Sequence, residues 1–261
     1  MRQIILAINA LLKFKAYTLI NVLGLACSLA CVLTVARYIH QENTVNQCFP
    51  EYKRICLIKT STSSGENFLG GYRSGLEKNP DVEQFTVIYQ ISDMPALFGE
   101  QEIAANAFSV DSTFFKIFPY RVIAGSGRIV RPRDVVITRS FWKKKLGGKN
   151  AIGATFKNTK GNKFTIIGVV DDPDTKTSWM PDIFMSDELD EFLFFDPIYA
   201  MLMAPDTDIA LLNKKYSKEH PRSKWSTYET VRYQYLPLKD LYYDKDHGKE
   251  NKNYQYGNQS Y

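Results

Sequence analysis

Four aspartates crowd one stretch of the chain: Asp171, Asp172, Asp174 and Asp182. Clustered carboxylates are what a hard cation such as calcium requires. Here Pro173 sits inside the cluster and the glycine pattern of a calcium loop is absent, so the run reads as a solvated turn after a strand. The other reactive side chains are no better organised. His40, His220 and His247 are scattered, without Cys or His neighbours at zinc-ligand spacing. Gly147-Gly148-Lys149 lacks both the spacing and the Ser/Thr of a phosphate-cradling G-x-x-x-x-G-K-[ST] loop. There is no G-x-S-x-G nucleophile elbow. Cys48 and Cys56 are candidates for a disulfide only through their compartment, and they read as separate thiols. The tyrosines between Tyr228 and Tyr261 could stack a sugar or peptide, but strand propensity accounts for the first half of that stretch. No catalytic, cofactor or metal residue is assigned, which reads against an enzyme, an anchored hydrolase included.

The elements that would carry function are therefore positional. Ala16 to Ala36 (AYTLINVLGLACSLACVLTVA) is a run of 21 residues without a charge, flanked by Lys15 and Arg37. At the helical rise it spans about 30 Å, the hydrocarbon thickness of a bilayer. Arg2, Lys13 and Lys15 precede it, and the first carboxylate is Glu42. Positive charge stays cytoplasmic, so the N-terminus is expected inside and the bulk of the chain outside. A cleaved signal peptide is the other reading; the length of the run and the lack of an A-x-A site or a lipoprotein box at Cys27 or Cys31 count against it. In residues 1–15, Ile4, Ile5, Ile8, Leu11 and Leu12 oppose Arg2, Asn9 and Lys13, with Leu6 out of pattern. This predicts either an amphipathic helix lying on the inner leaflet or a plain extension of the spanning helix.

Within the span, Tyr17, Asn21, Gly24, Ser28 and Cys31 recur on one face, opposite Leu19, Val22, Leu25, Leu29, Val32 and Leu33. Small and weakly polar residues allow helices to approach closely, and Gly24-x-x-x-Ser28 is a small-xxx-small pair. An amide such as Asn21 is costly against lipid tails. The face is expected to pack on a helix of another chain, or of a part of the gene product beyond Tyr261.

The remaining 220 or so residues can hold one domain with an insertion or two small ones. Apolar residues make up 44% of the chain and aromatics 13%, enough for a packed core rather than a disordered stalk. A net charge of +5, partly membrane-flanking, is too diffuse for nucleic acid. Arg54–Lys59 (RICLIK) reads as a strand, 61–66 as a polar loop, and Asn67–Lys78 as a helix on Phe68, Leu69, Tyr72 and Leu76, stopped by Asn79-Pro80. Phe85, Val87, Tyr89 and Ile91 alternate as a second strand. A hairpin is expected over Phe98–Ala107, turning at Gly99-Glu100-Gln101, then a short helix of Phe114, Phe115 and Phe118 capped by Asp111 or Ser112. Val135–Thr138 is a strand, and Ser140–Leu146 a helix with Lys143, Lys144 and Lys145 at its end and Gly147-Gly148 beyond. Thr155–Lys157 and Phe164–Val170 pair around 158–162. Ile198–Met203, a helix bearing Ile209, Leu212 and Tyr216, and the alternating Val231, Tyr233 and Tyr235 repeat the first strand–helix–strand unit. Two such units can combine into one layer around the middle block.

Taken in order, several stretches resemble the N-terminal half of a MacB-type ABC transporter permease with its MacB-like periplasmic core domain. They are Leu11–Leu25 (LLKFKAYTLINVLGL), Val110–Phe118 (VDSTFFKIF) with Ala124-Gly125, Asp134–Thr138 (DVVIT) through Leu146-Gly147 to Ile152-Gly153, Phe164–Pro173 (FTIIGVVDDP), and Leu236–Tyr242 (LPLKDLY). The resemblance implies an α+β fold in which amphipathic and transmembrane helices lead into a split porter-like αβ domain with an inserted β-rich, sabre-like subdomain. The expected divisions are 1–15 cytoplasmic helix, 16–40 transmembrane helix, 41–119 and 186–246 the two porter halves, 120–185 the insertion, and 247–261 a polar tail. Family members then return to the membrane through three more helices. This sequence reaches Tyr261 before any of them, so it reads as a piece of a longer permease or a truncated member. The implied role is mechanical: the domain, in the periplasm of a bacterial inner membrane, passes motion from a cytoplasmic ABC ATPase to a substrate being expelled or extracted. The implied partners are the membrane, that ATPase, a second permease subunit and a periplasmic adaptor, with no cofactor and no nucleic acid. The alternative is a single-pass sensor or adaptor, for which about 15 cytoplasmic residues leave little room for an effector.

Overall fold

The computed structural model describes residues 13–63, 65, 67–70, 79–148, 150–186, 197–216, 220–221 and 230–244. The chain divides into two units, Met1–Thr44 and Val45–Tyr261. The first contains helix α1, Lys15–Asn43, 29 residues long and without a buried residue. It is long and apolar enough to cross a membrane. Phe14 has non-helical angles (φ −109°, ψ 60°), and α1 begins at Lys15. The amphipathic pattern of residues 1–12 lies outside the described residues.

In the second unit the twelve described strands form one mixed sheet. Strand β1 (Ile55–Thr62) is bordered on one edge by β12 (Thr230–Pro237) and on the other by β2 (Asn67–Leu69) and β10 (Ile198–Met203), all antiparallel. Next to β10 runs β3, Val82–Phe98, which then pairs with β4, Gln101–Val110. The order β12-β1-β10-β3 interleaves two chain segments far apart in sequence, as in the split βαβ arrangement. Beyond β4 come β9 (Ile183–Ser186), parallel to it, then β6 (Asp134–Thr138), β8 (Lys163–Val170) and β5 (Val122–Gly125). The three-residue strand β7 (Thr155–Lys157) pairs with β8 and touches β3. A two-residue strand β11, His220–Pro221, borders β12.

The alternation in β1, β10 and β12 sorts side chains to two faces. Ile55, Leu57, Ile198, Ala200 and Leu236 join Phe108, Phe114, Phe118, Trp179 and Phe184 in one core. Cys56, Ile58, Tyr199, Met201 and Tyr235 meet Leu212 of helix α4, Ile209–Tyr216, in another. A third core gathers Ala105, Ala107, Val135, Ile137, Phe156, Phe164 and Ile166 around Phe141 of helix α3, Arg139–Lys145. Edge-to-face rings order the first: Phe49–Phe118 at 5.0 Å and Phe118–Trp179 at 5.2 Å.

The α+β class read from the sequence is the observed one. Several details differ. Residues 67–69 are strand, not helix, because they satisfy the open edge of β1 at Lys59–Ser61; the rest of that predicted helix, 71–78, lies outside the described residues. Strand β1 continues to Thr62, into the predicted loop. Strand β3 runs past Ile91 to Phe98, because Ser92 and Asp93 bulge out opposite Asn106 and pairing resumes at Met94–Ala105. The hairpin turning at Gly99 is therefore the end of a much longer ribbon. Helix α2, Phe114–Ile117, stops one residue before Phe118. Its aspartate does more than cap: Asp111 Oδ1 accepts from the Thr113 and Phe114 amides and from Thr86 Oγ1, and Oδ2 accepts from the Val87 amide, tying α2 to β3. Helix α3 starts at Arg139, where Thr138 Oγ1 accepts from the Phe141 amide, and Gly147 (φ 64°) ends it as expected.

Gly168 is required by a close approach. A side chain there would run into the carbonyl of Ser126, and the Ser126 amide donates to the Ile167 carbonyl at 2.8 Å. The obstacle is backbone, so it cannot rotate away. Gly168→Ala is expected to destabilise the protein by about 2–3 kcal/mol in urea titrations, the overpacking range. A change below about 0.5 kcal/mol would contradict the geometry.

Candidate functional site

The five residues of the predicted packing face, Tyr17, Asn21, Gly24, Ser28 and Cys31, all lie in the continuous helix α1, and all five are exposed. Ser28 Oγ donates to the Gly24 carbonyl at 2.8 Å, and Thr34 Oγ1 does the same to Ala30. These hydroxyls are thus satisfied inside the helix, as an apolar solvent demands. A Cβ placed on Gly24 meets nothing within 4 Å.

No local pattern announced the junction formed at Asn46 in the outer body. Asn46, 1% exposed, follows α1 by three residues and adopts a left-handed backbone, φ 64°. Its Nδ2 donates to Ser178 Oγ at 2.8 Å and to the Leu238 carbonyl at 2.9 Å. Its Oδ1 accepts from the Ser178 amide at 2.7 Å and from Thr177 Oγ1 at 3.1 Å. Its own amide donates to the Lys176 carbonyl. One side chain thus joins the incoming segment, the loop after β8 and helix α5, Leu238–Leu241. Two more ties hold the segment after α5. Lys59 Nζ donates to both oxygens of Asp244, at 2.9 and 2.8 Å, with side chains 7% and 10% exposed. Lys176 donates to the Tyr242 hydroxyl and sits 4.5 Å from its ring centroid. The only local hint was a lysine inside the apolar run of β1, where a buried ammonium must find a carboxylate.

The members of the acidic cluster take separate partners. Asp171 pairs with Arg121 and with Arg139 (2.9 Å), Asp172 accepts from Ser140 Oγ at 2.9 Å, and Asp174 is exposed. Asp182 accepts from the Asn106 amide at 2.9 Å; burial pushes its carboxyl up from the ordinary range, while that hydrogen bond and Lys145 pull it down. Among the described residues no three His, Cys, Asp or Glu side chains are placed to hold a metal. Cys48 and Cys56 are both free, and burial raises their thiols to about 11 and about 12. His247 and Lys149 lie outside the described residues, as does most of the tyrosine-rich end.

The profile of the MacB-like periplasmic core domain matches residues 18–215. The chain belongs to that family. This is the domain type of ABC-type transporter permeases, which are transporters rather than classical enzymes. No curated protein matches the chain. Solved structures share its fold. A domain from a protein described as a permease of Porphyromonas gingivalis is 20% identical, with a TM-score of 0.57, over 72% of this chain and 92% of that one. The periplasmic region of MacB from Actinobacillus actinomycetemcomitans is 15% identical, with a TM-score of 0.50, over 66% of this chain and 83% of that one. An apolar N-terminal helix followed by a MacB-like periplasmic core domain fits a membrane protein with a periplasmic domain.

Proposed function

We propose that this MacB-like chain is the anchored outer part of an ABC permease subunit, passing motion from a cytoplasmic ATPase to a periplasmic body during efflux or extraction of a substrate. The observation that carries the reading is the Asn46 junction. A domain pulled or twisted by membrane helices must not come apart where the chain comes in and goes out, and here those two segments are tied to each other and to the loop after β8. In this reading α1 crosses the bacterial inner membrane with its N-terminus in the cytoplasm, following the positive charge at Arg2, Lys13 and Lys15. Residues 41–119 and 186–246 form the porter-like part and 120–185 the sabre-like insertion, a division supported by the β12-β1-β10-β3 order. The partners are an ABC ATPase, a second permease subunit and a periplasmic adaptor.

The face Tyr17, Asn21, Gly24, Ser28 and Cys31 is the contact with a neighbouring helix. Gly24→Leu tests it, because among the described residues no atom lies within 4 Å of a Cβ added there. Gentle detergent extraction of the tagged chain is expected to recover an ATP-binding subunit and a second permease copy. Gly24→Leu should reduce recovery about tenfold, the worth of a close helix contact, while helix content and unfolding of the chain itself stay unchanged. Undiminished recovery would remove this face from the contact. Repeated isolation of the chain without any ATP-binding subunit would sink the transport reading.

A further inference from the structure

The net charge of +5 averages over a strong segregation. Residues 112–170 hold thirteen of the 33 Lys and Arg but only one of the 28 Asp and Glu, Asp134. That carboxylate is engaged by Arg131. A stretch so one-sided draws its counter-charge from elsewhere, and the fold shows where its cations gather.

Three neighbouring strand ends present one cation each. Lys157 of β7 and Lys163 of β8 are direct partners in the antiparallel ladder, so their Cβ atoms lie about 5 Å apart. The residues beside them, Phe156 and Phe164, stack at 5.3 Å in the core, and both lysines point to the opposite, exposed face. Arg133, just before β6, is held beside the same hairpin. Its carbonyl accepts from the Thr165 amide at 2.9 Å, and its guanidinium donates to Asn162 Oδ1 at 3.2 Å. Like charges directly across a ladder are unfavourable, yet none of the three cations has a carboxylate partner among the described residues. Glu102 pairs with Leu97, which pairs with Lys157, so it stands two strands away, about 10 Å, a Debye length at 0.1 M salt.

The spacing of this row is fixed. The ladder sets the two lysines, and the turn between them is tied by Asn158 Oδ1, which accepts from the Lys160 and Asn162 amides at 3.1 and 2.9 Å. A lipid surface adapts to any basic segment. Fixed spacing adds most against a partner whose own charges are fixed, which is a folded protein. An apolar contact is at hand in the loop that carries Arg133, where Val130 is 75% exposed.

We propose that the row of Arg133, Lys157 and Lys163 docks an acidic protein partner, with carboxylates set across the β7–β8 hairpin and an apolar contact on Val130. The surface belongs to the middle block alone and does not depend on the transport reading; it stands or falls separately.

The test uses the full chain in nanodiscs of neutral lipid, with fluorescein-labelled poly-L-glutamate as the probe and fluorescence anisotropy as the readout. Poly-L-glutamate should bind with a dissociation constant of about 10–100 μM at low salt. Two triple variants remove the same charge from exposed positions: Arg133→Gln, Lys157→Gln and Lys163→Gln in the row, and Lys116→Gln, Lys143→Gln and Lys144→Gln elsewhere in the same stretch. The row triple should weaken binding about tenfold or more and the other less than about threefold. Should the row triple fail to fold, Lys157→Gln and Lys163→Gln made singly are expected to weaken binding about two- to threefold each. Absent binding, or equal weakening by the two triples, overturns the proposal, because net charge and not the row would then be acting. Co-flotation with phosphatidylglycerol vesicles is the second readout. Flotation that depends on the row more strongly than poly-L-glutamate binding does would make a lipid surface the ligand and overturn it as well.

Discussion

Asn46→Ala is expected to lower the unfolding free energy of the outer body by about 3–5 kcal/mol, at the top of the range for a single substitution. Four hydrogen bonds end on this amide, and their partners stay buried when it goes: Ser178 is 0% exposed and Leu238 is 1% exposed. Each stranded group keeps its desolvation cost without a partner. A second contribution is conformational. At φ 64° alanine is strained by about 1–2 kcal/mol, whereas glycine is not. Asn46→Gly should therefore be milder than Asn46→Ala by about 1 kcal/mol although it removes as many hydrogen bonds. The chain's three tryptophans, Trp142, Trp179 and Trp225, all lie in the outer unit, so their fluorescence during urea unfolding reports that unit alone. An alanine variant within about 1 kcal/mol of the unsubstituted protein would show that the junction is decorative, and the mechanical reading would lose its main support.

The second large effect is at Lys59 and Asp244. Lys59→Met removes the ammonium that pairs with the nearly enclosed Asp244 side chain. Stranding one member of a buried pair costs about 3–5 kcal/mol, whereas replacing both by apolar residues of similar size is often neutral. Lys59→Met should thus be severe, and adding Asp244→Leu should restore stability to within about 1 kcal/mol of the starting protein. The same fluorescence-detected urea titration measures both. Restoration by the second substitution separates a charge effect from simple loss of packing along the lysine stem. A single variant with no loss would mean that the tie is not maintained in solution. Together with Asn46, this pair ties the segment after α1 and the segment after β12 to the same body.

Much of the secondary structure was legible because its causes are local. The 21 uncharged residues from Ala16 specify a helix able to live in lipid, since a helix satisfies its own backbone groups. The end of helix α3 could be read from Lys143–Lys145 and Gly147, and β7 and β8 from the turn between them, because caps and turns are written in adjacent residues; its start, read at Ser140, falls at Arg139, where Thr138 caps it. Asp111 was recognised as a cap for the same reason, although its hold on Thr86 and Val87 was invisible 24 residues away.

What needed the tertiary structure is everything that joins distant residues. Strand β3 outran its prediction because a bulge at Ser92–Asp93 hides the resumed pairing, and residues 67–69 became strand because an edge of β1 was open to them. The parallel contact of β4 with β9 leaves no mark in either segment, since a parallel partner reads as any buried apolar run. Asn46 meets Ser178 across 132 residues and Leu238 across 192. The sequence by itself determined a membrane-length helix, an α+β body and the family pattern. The junction came only from the fold, because hydrogen-bond satisfaction at a buried site depends on neighbours that the chain brings together after folding and that no local spacing announces.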